Sequence, residues 1–206
     1  PVRIGQTTAH WYQIRLSNKQ TGWIFGSLLN AFKPSAKAEI FRDIARQRLA
    51  NPKYHFEGGI PVNQRLQDEI FAELTDLFDF LNRTSGEVDQ TTEIAAELKL
   101  MRLQTLQRAG FAAWGNWDKA PYKAWLHTQQ ELGNMYYVDY GHMGWFVKPN
   151  LFWALSQQYR QWPIGEEIAW QAANLALGGE CEGFIGCYLD LINSTTGQYL
   201  ARYPNG

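Results

Sequence analysis

Seven apolar residues between positions 66 and 81 recur three or four apart: Leu66, Ile70, Phe71, Leu74, Leu77, Phe78 and Leu81. That spacing places them along one side of an α-helix, and no strand pairs such a pattern with a single face. Asp68, Glu69, Glu73, Asp76 and Asp79 fall between them and form the solvated side that an amphipathic helix needs. Asn63, just ahead of the stripe, is expected to cap it. A chain with a stripe this long must set another element against it, so its neighbours decide the fold class.

Most of those neighbours also read as helix. Ile40, Phe41, Ile44, Ala45 and Leu49 follow Ser35, a candidate cap, and Asn51-Pro52 stops them. Asn82 to Gly86 reads as a turn, with Asp89 capping a third helix that ends near Arg108 and Gly110. In that helix Ile94, Leu98, Leu100, Met101, Leu103 and Leu106 spread over more than one face, which predicts a central helix, antiparallel to the 66–81 segment. Asp118 and Pro121 open a fourth, with Tyr122, Trp125, Leu126 and Leu132 inward and Gly133 at its end. Asn150 is expected to cap a helix running toward Tyr159, which Trp162-Pro163 breaks, and Glu166 to Leu177 supplies another, with Ile168, Ala169, Ala172 and Leu175 inward and Gly178-Gly179 beyond it. Residues 181–203 read as one or two further helices. The expected fold is mainly α, an irregular multi-helix array, with residues 34–206 as one helical domain.

The first thirty residues are different. Val2-Arg3-Ile4 reads as the end of a strand. Trp11, Gln13 and Arg15 alternate with Tyr12, Ile14 and Leu16; a polar turn follows from Ser17 to Gly22, and Trp23-Ile24-Phe25 returns before Gly26-Ser27. This is the period-2 pattern of an antiparallel hairpin. Two strands alone are marginal in water and need partners.

The run WYQIRLSNKQTGWIFGSLL resembles the closing half of a bacterial SH3-type domain, in which a Trp-Tyr strand, a polar turn, a Gly-Trp strand and a short turn with a terminal Leu complete a small barrel. The likeness covers residues 1–30, and the first half of such a barrel is missing from the chain. Residues 1–33 are therefore expected to form a partial SH3-like β segment. The resemblance implies a targeting module of the bacterial cell envelope, periplasmic or extracellular, that binds peptidoglycan or an envelope protein or peptide. The chain opens at Pro1 without Met, which fits removal of a leader or an earlier region.

Aromatic residues make up 15% of the chain, enough to serve both core and contact surface. Trp11, Tyr12, Trp23 and Phe25 are binding candidates through the resemblance. Trp114, Trp117, Tyr137, Tyr140 and Trp145 are binding candidates because they crowd the segments 111–117 and 134–146, read as an aromatic link and a long loop or extended arm; Trp and Tyr recur at interface hot spots. Asp139 and His142 in that loop, and Glu166 at a helix start, are the catalytic candidates, the first two as an acid–base pair. The bland readings are a loop pinned by its own rings and a carboxylate that favours the helix dipole. His127 and Glu131, four apart, read as a surface pair and not a metal site.

Cys181 and Cys187 are six apart. On a continuous helix they would be about 9 Å apart, beyond the roughly 7 Å a disulfide tolerates. Gly183 and Gly186 allow a looped segment that brings them together, so a disulfide is expected after export and two buried thiols otherwise.

No Walker loop, GxGxxG, GxSxG or HExxH occurs, nor the Asp-Cys-Ser-Gly of papain-like wall peptidases, and no cofactor or metal is implied. With 19 Lys and Arg against 20 Asp and Glu, the chain shows no basic surplus pointing to nucleic acid. No apolar run approaches the roughly 20 residues of a membrane span. The expected function is non-enzymatic: a cell-envelope binding or adaptor protein. The alternatives are a wall-polymer hydrolase with an aromatic-lined cleft and a structural helical module without a ligand.

Overall fold

The computed structural model describes residues 1–15, 19–28, 34–54, 63–138 and 144–178. The chain divides into two compact units, Pro1–Lys37 and Ala38–Gly206. The fold is mainly helical, as the apolar spacing predicts.

Among the described residues the first unit carries four short strands: β1 (Val2–Ile4), β2 (Thr7–Ala9), β3 (Trp11–Arg15) and β4 (Thr21–Phe25). They pair as two separate antiparallel ribbons, β1 with β2 and β3 with β4. The predicted hairpin is β3–β4, in register Trp11 to Phe25, Gln13 to Trp23 and Arg15 to Thr21. The β1–β2 ribbon was not foreseen. Gly5 turns it at a φ of 60°, a left-handed backbone that glycine adopts without penalty. Gly26 N–H donates to the His10 carbonyl at 2.8 Å and closes the β3–β4 ribbon at its base.

The second unit is built on six helices among the described residues: α1 (Lys37–Leu49), α2 (Gln64–Ser85), α3 (Glu93–Ala112), α4 (Ala120–Glu131), α5 (Pro149–Gln158) and α6 (Pro163–Gly178). Asn63 caps α2 as expected, its Oδ1 accepting from Leu66 N–H at 3.2 Å. The 66–81 stripe is buried apart from Leu66. α2 and α3 run antiparallel: Gln67, near the start of α2, bonds the Ala112 carbonyl, and Asn82, near its end, accepts from Arg102. The central position expected for α3 is observed, since it packs on α2, α5 and α6 and on a strand described below.

Several boundaries move. The expected turn at 82–86 is helix as far as Ser85, because Thr84 and Ser85 bond back to carbonyls of the preceding turn. Thr92, not Asp89, caps α3, accepting from Ala95 N–H at 3.3 Å. Asp89 instead ties the preceding turn through Thr91 N–H and Oγ1, and these bonds hold its carboxyl below the usual range. Lys148, not Asn150, precedes α5, which begins on Pro149; a proline lacks the N–H that a first-turn position leaves unpaired anyway. Leu132, expected inward, lies past the end of α4 and is 65% exposed.

The largest departure is the 134–150 segment. It is a hairpin, β5 (Met135–Val138) with β6 (Gly144–Val147), and not a loop or arm. Its Tyr, Val, Trp and Phe residues suit a pleated, half-buried surface. Met135 and Val147 face each other across the strands and are fully buried.

Candidate functional site

Two aromatic surfaces emerge, one in each unit, and they differ in how far solvent reaches the rings.

In the helical unit, Gln67 organises the 113–119 link. Its Nε2 donates to the carbonyls of Ala112 and Trp114, each at 2.7 Å, and its Oε1 accepts from Asn116 Nδ2 at 2.6 Å. Gly115 turns the link at a φ of 74°. A buried amide satisfied at three points fixes Trp114 and Trp117 relative to α2 and α3. The Trp114 and Trp117 rings meet edge to face at 6.1 Å, Trp117 meets Tyr137 at 6.0 Å, and Tyr137 meets Trp145 at 5.4 Å. His127, expected to pair with Glu131, instead stands edge-on to Trp145 at 5.3 Å.

The hairpin is seated on α3 by two devices. Gln107 Oε1 accepts from Val147 N–H at 2.9 Å. Gly110 allows β6 to approach, since a Cβ there would lie 2.5 Å from the Trp145 carbonyl oxygen and 2.7 Å from Met135 Cε. Gly110 is thus a contact inside the helix and not its stop signal; the helix runs on to Ala112. The outcome for Trp145 corrects its expected exposure: it is 4% exposed, and among the described residues its Nε1 has no hydrogen-bond partner. Trp114, Trp117 and Tyr137 are half-buried.

In the N-terminal unit the rings face outward. Residues directly opposed across an antiparallel pair share a face, so Trp11, Gln13 and Arg15 lie with Phe25, Trp23 and Thr21. Trp23 is 66% exposed and Trp11 45%. Phe25 is buried, so its expected contact role does not hold; its ring lies 5.5 Å from that of Trp11, tilted by 56°. Tyr12, on the opposite face, is 50% exposed. Val2 and Ile4 add exposed apolar surface on the other ribbon.

A groove of about 290 Å³ opens between α1, α3 and α6, floored by Leu49, Leu100 and Met101. Its charged groups are engaged within the fold. Arg46 pairs with Glu97, and Arg108 donates to the Leu49 carbonyl at 2.7 Å, closing the end of α1. Burial raises the Glu97 carboxyl above its usual range, against the opposing charges of Arg46 and Arg42.

Glu166 is exposed in the first turn of α6. Asp139, Tyr140, His142, Cys181 and Cys187 lie outside the described residues. Among the described residues no three His, Cys, Asp or Glu side chains gather to hold a metal ion, and no helix is long and apolar enough to cross a membrane. What the β3–β4 ribbon offers is exposed stacking surface with Gln13 and Arg15 on the same face. Sequence reasoning missed Gln67, Gln107 and Gly110, whose roles depend on partners 40 or more residues away or on a backbone crossing. No family model, curated protein or solved structure matches the chain.

Proposed function

We propose that this protein is a non-enzymatic cell-envelope binding protein whose SH3-type N-terminal segment attaches it to peptidoglycan, in the periplasm or outside the cell. The observation that carries this reading is the exposure of Trp11, Tyr12 and Trp23 on a two-stranded ribbon. Water-facing aromatic rings are costly to leave uncovered, and Trp and Tyr dominate contact energies where they are covered by a ligand. Sugar rings and peptide planes stack on such surfaces.

The helical unit serves as the attached body. Its aromatic link and hairpin are tied into the core by Gln67, Gln107 and Gly110. The half-buried Trp114, Trp117 and Tyr137 are its contact surface for an envelope protein or peptide.

The test is co-sedimentation of the full chain with purified peptidoglycan sacculi. Trp23→Ala is expected to weaken binding by about tenfold or more, as removal of a hot-spot ring does, with an unchanged melting temperature. Wild-type protein left wholly in the supernatant, or Trp23→Ala that sediments as wild type does, ends the reading.

A further inference from the structure

The N-terminal unit differs from the rest of the chain in charge as well as in exposure. Residues 1–37 hold five of the 19 Lys and Arg and none of the 20 Asp and Glu. Residues 38–206 are left with 14 basic and 20 acidic residues, a formal charge of −6. The overall value of −1 conceals this separation, and the even balance expected from composition does not hold within the first unit.

One of these cations shares a strand face with the rings, and two others lie in the same unit. Arg15 shares the β3–β4 face with Trp11 and Trp23, opposite Thr21 and next along the face from Gln13. Lys19 stands in the β3–β4 connection with a φ of 67°. Arg3 belongs to the neighbouring ribbon, where its Nε donates to the Gly5 carbonyl at 3.1 Å. All three are exposed, and the unit contains no carboxylate to neutralise them.

We infer that the ligand of this face is an anionic, carboxylate-bearing wall polymer, a deepening that rests on the wall-binding reading above. Trp11 and Trp23 stack on its sugar or peptide planes, Gln13 and Thr21 bond its hydroxyls and amides, and Arg15 and Lys19 meet its carboxylates. Sparse charge on the ligand fits better than dense charge. A nucleic acid carries one phosphate for every few ångströms of length and is recognised by proteins with an overall basic surplus. Here the remaining 169 residues carry a negative charge that repels a dense polyanion at long range. Exposed cation–carboxylate contacts are individually weak and screened by salt, so the rings supply most of the affinity and the cations supply selectivity.

The experiment measures sedimentation of the full chain with native sacculi and with sacculi whose free carboxyls have been amidated, at 50 and 500 mM NaCl, with a single-stranded oligonucleotide as competitor. Native sacculi are expected to bind about fivefold more tightly than amidated ones at low salt, the scale of two exposed ion pairs. That advantage is expected to vanish at high salt and in Arg15→Gln/Lys19→Gln, which should keep the wild-type melting temperature. Equal binding to native and amidated sacculi overturns the anionic assignment and leaves wall binding standing. Binding to neither form at low salt overturns both. Displacement by the oligonucleotide at equal mass concentration overturns the inference in favour of nucleic acid.

Discussion

Trp23 and Trp145 each lie in the second strand of a two-stranded antiparallel hairpin, yet one is 66% exposed and the other 4%. Their local sequences, Gly-Trp-Ile-Phe and Gly-Trp-Phe-Val, are nearly interchangeable. The difference lies in what covers them. β5–β6 is laid on α3, where Gly110 removes the side chain that would hold it off and Gln107 bonds its backbone. β3–β4 keeps one ring, Phe25, buried and leaves two tryptophans facing solvent. The same hairpin pattern thus yields a core element in one place and a contact surface in the other.

The contrast rests on α3, the helix on which the second hairpin lies. Leu106→Ala, at a fully buried position of α3, is expected to cost about 3 kcal/mol, as large-to-small core changes do. Urea denaturation measures it, and a loss below about 1 kcal/mol means that α3 is not the centre of the unit.

Gly110→Ala comes next, at about 2 kcal/mol of overpacking. Alanine in a helix interior ordinarily stabilises relative to glycine by up to about 1 kcal/mol, so the sign of the change is the test. The clash partner is backbone, the Trp145 carbonyl, and cannot rotate aside. A stabilised variant would mean that β6 does not lie against α3.

Two carboxylates in the helical unit sharpen the picture through pH. Burial raises Glu97, so the folded state holds its proton more tightly than the unfolded chain does. Its contribution favours folding below its usual pKa of 4.5 and is lost as pH rises through the raised value. Burial also pushes on Glu73, but bonds from Lys53 and Tyr54 and the charges of Lys53 and Arg48 outweigh it and lower its pKa. Its contribution is present above 4.5 and is lost as pH falls through the lowered value. Melting curves from pH 3 to 7 are expected to show the Tm of Glu97→Gln rising relative to wild type with increasing pH, and that of Glu73→Gln falling. Parallel curves for both variants would contradict these environments.

The smallest stability effect belongs to the first hairpin. Trp23→Ala is expected to change stability by less than about 0.5 kcal/mol, as for surface positions generally, while removing most of the wall binding. A cost as large as that of Leu106→Ala would place Trp23 in a core and remove the contact surface.

Much of the helical architecture was legible because it follows from periodicity. The 66–81 stripe, the Asn63 cap and the multi-sided apolar pattern of α3 each need only residues within a turn or two of one another. The β3–β4 hairpin was legible for the same reason, from alternation across a polar turn. The 134–150 hairpin was missed because its strands are four residues each and its aromatic runs do not alternate in polarity. Among the proposed contact residues, Trp11 and Trp23 are open to solvent, whereas Phe25 and Trp145 are covered. The charge separation at residue 37 was readable from the start, but totals over the whole chain hid it.

By itself the sequence determined which segments coil, which alternate and where charge collects, since these depend on neighbours along the chain. It could not determine which aromatic rings meet water. That was decided when α3 came to lie under one hairpin at Gly110, because solvent exposure is a property of what packs on a side chain from distant parts of the chain and not of the side chain itself.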